Sequence, residues 1–293
     1  ILLMLLSPLE KITMERFSLF TSLILLLALG ADFYYFGKLF TAFPMQEIFS
    51  KMLIVDSYSV YFDAIILSGA LVTALIGTHY FQDKRHFKKE FFSLFLFSVF
   101  GMMFLVHANE LLTAFIALEI ASLALYVMIG FQKIHDKRVE ASYQYLVLGS
   151  ISGAFFLLGS AFIYAGLGTT ILGDMGKTLD LLIGKDVSLI IIGSTFVLVT
   201  FLFKISAFPF QNWTIDVYDG SPLPVTAFMA ATFKVAIFGF VLRLMLIDLD
   251  PIRDIWDTLF IVVILATLLY GTFLAIIQES LNRMLAASSI VHT

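Results

Sequence analysis

Three ionisable residues stand alone in long apolar runs, and their isolation is the first sign of chemistry. Between Asp186 and Asp216 the only charged residue is Lys204; between Asp219 and Arg243 it is Lys234; between Glu110 and Lys133 it is Glu119. At about 1.5 Å of rise per helical residue, each lies near the middle of its run, too deep to reach a headgroup easily. A charge at the bilayer centre costs about 2.5–3.5 kcal/mol on insertion scales, so three would cost roughly 8–10 kcal/mol. A chain sustains that only where the groups face one another, or water, inside a bundle. Burial favours the neutral form of an acid or an amine, so such groups can take up and release protons under working conditions. The spacing points to proton carriage. A Glu–Lys pair that merely holds helices together would leave one amine without a partner.

A helix interruption lies beside one of the three. Pro209, in the run Phe203-Lys204-Ile205-Ser206-Ala207-Phe208-Pro209-Phe210-Gln211-Asn212-Trp213, removes a backbone donor and presses on the carbonyl of Ile205. Interrupted helices occur at membrane depth only where they line a cavity or are buried in protein. An ordinary proline kink is the plainer reading, but the adjacent buried lysine favours a hydrated break.

The elements that position these residues follow from composition. The chain has 293 residues, 60% of them hydrophobic and 14% charged, with mean hydropathy +0.98. Soluble domains are about a quarter charged, and no soluble fold of this size could hide so much apolar surface. The excess must face lipid, which implies an all-α, polytopic transmembrane bundle. Cysteine is absent, which excludes disulfides and Cys-ligated zinc or iron–sulfur clusters in this chain. The net charge of −4 and the lack of a basic stripe give no support to a nucleic-acid partner.

Apolar runs place spans at 17–36, 58–81, 91–107, 110–131, 142–166, 187–219 (interrupted), 222–247 and 255–278, with another beginning at 281–293. The mixed stretch 37–57 suits a loop or an interfacial helix. The opening Ile1-Leu2-Leu3-Met4-Leu5-Leu6 has no initiator Met or basic flank and reads as the end of a span over 1–7. Because the last residues also read as a continuing helix, the expectation is a fragment of a longer protein. Ten Lys and Arg residues fall on one side, including Lys11, Arg16, Lys84, Arg85, Lys88, Lys89, Lys133, Lys137, Arg138 and Arg283, against six on the other. The richer side is assigned to the cytoplasm.

Weaker signals are read conservatively. Gly149 and Gly153 form a GxxxG that lets helices approach closely. Gly176-Lys177-Thr178 ends like a phosphate-binding loop, but Ile171 occupies the required first glycine position. The histidines show no metal-ligand spacing, and His107, at a span end, is expected to contact headgroup or water.

Longer stretches carry a resemblance. Leu202 to Ile205, Pro209-Phe210, Trp213, Asp216-Val217-Tyr218, Gly220-Ser221-Pro222, Pro224-Val225 and Lys234-Val235-Ala236 are similar to the signature of the antiporter-like membrane subunits of respiratory complex I. Leu118-Glu119-Ile120 with Tyr126, Glu140-Ala141-Ser142 with Tyr145, and Asn282 to Ala286 with Ser288-Ser289-Ile290 and His292 agree with it. The resemblance covers residues 108–293. It implies a fold of two inverted five-helix repeats, each with a broken helix. N-terminal helices would occupy 1–90, a first repeat 91–247, and an incomplete second repeat 255–293.

The resemblance further implies a non-redox, proton-translocating subunit of an NADH–quinone oxidoreductase in a bacterial inner membrane. Glu119 and Lys204 would form a charge pair and Lys234 would pass protons along the bundle. Ser206, Gln211, Asp216 and His292 would support the polar path or its gating. Gln211 departs from the family, which commonly has His there, so a relay through it needs water. Partners would be other membrane-arm subunits, including neighbouring antiporter-like chains, within the lipid bilayer. NADH, flavin, iron–sulfur clusters and quinone would be held by other subunits, with no cofactor in this chain. Mrp-type sodium–proton antiporters and membrane-bound hydrogenases contain related subunits and form the alternative reading.

Overall fold

The computed structural model describes residues 14–39, 45–82, 90–132, 136–182 and 186–293. Helices dominate: α1 (Met14–Leu39), α2 (Ser57–Gln82), α3 (Glu90–Val106), α4 (Leu111–Ile129), α5 (Asp136–Leu167), the short α6 (Leu172–Asp180), α7 (Ser188–Ile205), α8 (Asn212–Gly220), α9 (Leu223–Asp248), α10 (Arg253–Ile276) and α11 (Leu281–Val291). Seven of the described helices are long and apolar enough to cross a membrane, and α3 is a shorter apolar helix. The spans read from hydropathy recur with ends displaced by a few residues. The expected stub over 1–7 and the basic run Lys84 to Lys89 lie outside the described residues.

Stretch 37–57 departs from expectation. Within it β1 (Gln46–Ile48) and β2 (Leu53–Val55) form an antiparallel hairpin, with Gln46 opposite Val55 and Ile48 opposite Leu53. The loop between α3 and α4 holds this hairpin: Ile54 N–H donates to the His107 carbonyl, and Asn109 N–H donates to Met52. Such short strands persist because tertiary contacts satisfy their backbone. α6, between α5 and α7, was not foreseen. Leu172, Met175 and Leu179 form its buried stripe, while Lys177 is exposed.

Small residues set the closest helix crossings. A Cβ on Gly159 of α5 would stand 2.5 Å from the Gly193 carbonyl of α7, and one on Gly193 would stand 2.7 Å from the Gly159 carbonyl. Such contacts let the two backbones touch, as small-residue crossings in membranes do. α3 and α4 approach similarly at Gly101, whose Cβ would lie 2.5 Å from Ala121 N. Lys137 and Arg283 share one end of the bundle, lining a common cavity, whereas Lys51 and Lys177 approach Asp174 at the other. These four residues group as expected; Lys11, Lys84, Arg85, Lys88, Lys89 and Lys133 lie outside the described residues.

Candidate proton-carrying site

The break that exposes backbone around Lys204 begins before its proline. α7 ends at Ile205, and Ser206 caps it in the left-handed region at φ 69° and ψ 32°. Ala207 N–H reaches back to the Leu202 carbonyl, and Trp213 Nε1–H donates to the Phe203 carbonyl. Pro209 lies in the linker between α7 and α8, past the end of α7, so it does not kink that helix internally. Phe208 N–H donates to Thr267 Oγ1, which ties the linker to α10. The Ile205 carbonyl accepts a hydrogen bond from Thr293 Oγ1 at 3.0 Å.

Lys204 is 1% exposed. Its Nζ donates to Ser122 Oγ at 2.8 Å and to Tyr126 OH at 3.0 Å, both on α4. It also lies 5.4 and 5.5 Å from the ring centroids of Tyr126 and Tyr145, within cation–π range. Tyr145 stacks on Trp213 of α8 at 4.5 Å, so the broken helix supplies one wall of the amine's aromatic enclosure.

Glu119 is not in ion-pair contact with Lys204. Among the described residues the amine is taken by Ser122 and Tyr126, three and seven residues farther along the same helix. Glu119 Oε1 is buried without a hydrogen-bond partner and faces Gly153 of α5. The GxxxG therefore does more than bring helices together. A Cβ on Gly149 would lie 2.0 Å from Tyr126 OH, and one on Gly153 would lie 3.2 Å from Glu119 Oε1. The two glycines leave room for the polar groups of α4.

Lys234 sits directly after a π-helical turn, Met229–Phe233, within α9. Such turns inside α-helices occur frequently at functional sites. Its Nζ donates to the Ser289 carbonyl at 2.7 Å, Ser289 Oγ at 3.1 Å and Thr293 Oγ1 at 2.5 Å. Thr293 thus touches both Lys234 and the carbonyl next to Lys204. It ties the Lys234 cluster to the backbone beside Lys204, whose own amine points to Ser122 and Tyr126.

The supporting residues divide. Ser206 and Gln211 are buried at the break, and Ser206 Oγ and Gln211 Oε1 have no hydrogen-bond partner among the described residues. Thr214 Oγ1, Ser152 Oγ and Tyr145 OH are buried and unpaired likewise. Buried polar atoms are ordinarily paired by protein or ordered water, so each of these is a place where a water could bond. Asp216 lies outside it: it is exposed and pairs with Arg283 at 3.1 Å, beside a polar cavity of about 150 Å³ that Lys137 and Glu140 also line. His292 is exposed and takes no part in the Lys234 hydrogen bonds. His107 also departs from expectation, since it bonds the Ile54 carbonyl and Asp63.

Sequence reasoning missed Ser122, Ser289 and Thr293 as partners of the amines. Ser122 and Tyr126 share the helical face of Glu119 at i+3 and i+7, a usable signal. Ser289 and Thr293 are spaced i and i+4, but only packing of α11 reveals what they meet.

The chain is 40% identical over 248 residues to NADH-quinone oxidoreductase subunit N 1 of Herpetosiphon aurantiacus, covering 83% of this chain and 50% of the relative. It is 35% identical over 292 residues to NADH-quinone oxidoreductase subunit N 1 of Solibacter usitatus, covering 99% of this chain and 59% of the relative. Thus it spans about half the length of the curated relatives it matches. Among solved structures, respiratory complex I from Thermus thermophilus with bound Aureothin contains a chain that superposes with a TM-score of 0.80 at 30% identity, covering 99% of this chain and 60% of that one. Residues 108–293 match the family described as NADH:quinone oxidoreductase/Mrp antiporter, TM. With well over half its length matched, and with the broken helix and buried amines just described, the chain belongs to the NADH:quinone oxidoreductase/Mrp antiporter transmembrane family.

Proposed function

We infer that the chain is part of a proton-translocating membrane subunit of an NADH–quinone oxidoreductase, in which Lys204 and Lys234 carry the proton and Glu119 biases the first of them. The observation that carries this reading is the placement of Lys204. A fully buried amine at a helix break is held by two hydroxyls, and Thr293 ties the cluster of a second buried amine to the backbone carbonyl next to it in the chain. Hydroxyls both donate and accept, so Ser122 and Tyr126 can accommodate Lys204 as ammonium or as neutral amine. A carrier needs both states.

The proton moves by changes in what each amine faces. With Glu119 swung toward Lys204, a carboxylate stabilises the ammonium; with Glu119 turned toward Gly153, as observed, that support is withdrawn and transfer to Lys234 is favoured. Peptide carbonyls do not relay protons, so transfer across the Ile205–Thr293 link requires water at the unpaired groups around the break. The residues 91–247 constitute the first repeat in this reading, 255–293 open the second, and 1–90 are added helices. The subunit performs no redox step itself. NADH, flavin, iron–sulfur clusters and quinone belong to partner subunits, and neighbouring antiporter-like chains lie beside it in a bacterial inner membrane. Relatives bearing the name NADH-quinone oxidoreductase subunit N support this assembly.

The test is Lys204→Met in the full-length chain within its assembled complex, reconstituted in vesicles. Proton translocation per electron is expected to be abolished or strongly reduced while assembly is preserved. Normal stoichiometry in that variant would overturn the assignment.

A further inference from the structure

A second titratable cluster lies at the opposite end of the bundle from the Asp216–Arg283 cavity. His107, just beyond the end of α3, is fixed by β2: its backbone carbonyl accepts from Ile54 N–H, and its Nδ1 lies 2.8 Å from the Ile54 carbonyl. A carbonyl can only accept, so Nδ1 must carry hydrogen. Its Nε2 lies 2.6 Å from Oδ2 of Asp63 on α2. That contact needs a proton between the two atoms. If it rests on nitrogen, the pair is imidazolium and carboxylate; if on oxygen, neutral imidazole and carboxylic acid. Either way the pair holds one proton beyond the one on Nδ1.

The surroundings do not resemble a purely structural clasp. Asp63 is 4% exposed, and its other oxygen, Oδ1, is buried without a hydrogen-bond partner. Asp32 of α1 interacts electrostatically with both Asp63 and His107, and its Oδ2 is likewise buried and unpaired. Asp56, at the start of α2, also acts on His107, but Arg243 of α9 holds it with two bonds of 2.9 Å. Glu47 of β1 is exposed. The carboxylate bonded to the imidazole therefore keeps a buried, unpaired oxygen, and a half-buried second carboxylate on α1 keeps another, where satisfied structural groups leave none.

We propose that Asp63 and His107 hold a single shared proton at this end of the bundle, a proton-binding site separate from the two lysines. Release passes the proton to water at the partly exposed imidazole and leaves a neutral imidazole beside the Asp63 carboxylate; no other bond changes. Burial opposes a charged imidazole, but the Asp63 carboxylate outweighs it and raises the His107 pKa above its ordinary value.

The test is infrared difference titration of the assembled complex containing the full-length chain in lipid vesicles, with isotope-labelled histidine. In the native protein, carboxyl and imidazole signals should change together at one midpoint. Asp63→Asn should lower the His107 midpoint by about one pH unit or more. His107→Gln should abolish the shared signal, and adding Asp63→Asn to it should change nothing further. Separate midpoints in the native protein, or a His107 midpoint unmoved by Asp63→Asn, would overturn the proposal. The native titration decides even if a variant fails to assemble. Because proton occupancy is read, and not pumping, the outcome is independent of Lys204→Met.

Discussion

Lys204 and Lys234 are both buried amines on packed helices, yet their partners differ in kind. Lys204 meets two hydroxyls, each able to donate or accept. Lys234 meets a carbonyl and two hydroxyls, and Thr293 Oγ1, one of those hydroxyls, spends its own proton on a carbonyl oxygen. Three acceptors suit the three protons of an ammonium, whereas two ambivalent hydroxyls suit either charge state. The difference teaches that like amines in one bundle are distinguished by the donors and acceptors each one meets.

Beyond Lys204→Met, the largest expected effect comes from removing the amine with three partners. Lys234→Met leaves the three oxygens around Nζ without their donor, and translocation per electron should fall about tenfold or more. Near-native pumping in vesicles would break the comparison. Next, Ser122→Ala combined with Tyr126→Phe strands the Lys204 amine. Unmade bonds to a buried polar group cost about 1–3 kcal/mol each, so the thermal midpoint of the purified chain should drop clearly. An unchanged midpoint would show that these hydroxyls do not hold the amine.

A gentler probe is Gly149→Ala. Its Cβ would meet Tyr126 OH at 2.0 Å, so the phenol must swing away and Lys204 keeps Ser122 alone. Translocation should fall more than for Gly153→Ala, where the contact with Glu119 Oε1 is 3.2 Å and a flexible carboxylate can yield. The reverse ranking would place the sensitive group at Glu119.

The smallest effect serves as a control outside both lysine sites. Glu110 caps α4, accepting from Thr113 N–H at 2.7 Å. Glu110→Ala should cost about 1 kcal/mol of stability, measured by thermal melting, with translocation unchanged. Burial works against the Glu110 carboxylate, but hydrogen bonds from Thr170, Leu112 and Thr113 outweigh it and hold its pKa below the ordinary value. Its contribution is therefore complete above the ordinary glutamate pKa and lost as pH falls through the lowered value.

Much of the architecture was legible beforehand. The spans were visible because a bilayer demands long apolar runs, and the break near Pro209 because a proline without a backbone donor cannot continue a helix. Its onset at Ser206 was not, since the left-handed cap is chosen by how Ala207 and Trp213 recover the free carbonyls. The hairpin over 46–55 was hidden because strands of three residues carry almost no periodic signal. Asp63 and His107 are separated by 44 residues, and neither is unusual where it stands in the chain.

The sequence by itself determined which ionisable groups lie deep in lipid. Depth follows from distance along an apolar helix, a one-dimensional quantity. Only the tertiary structure decided what those groups touch: Ser122 and Tyr126 in place of Glu119 for Lys204, and Ser289 and Thr293 for Lys234. The reason is physical. A hydrogen bond depends on angstroms between groups 55 to 82 residues apart in the chain, and those distances are set by how the helices pack.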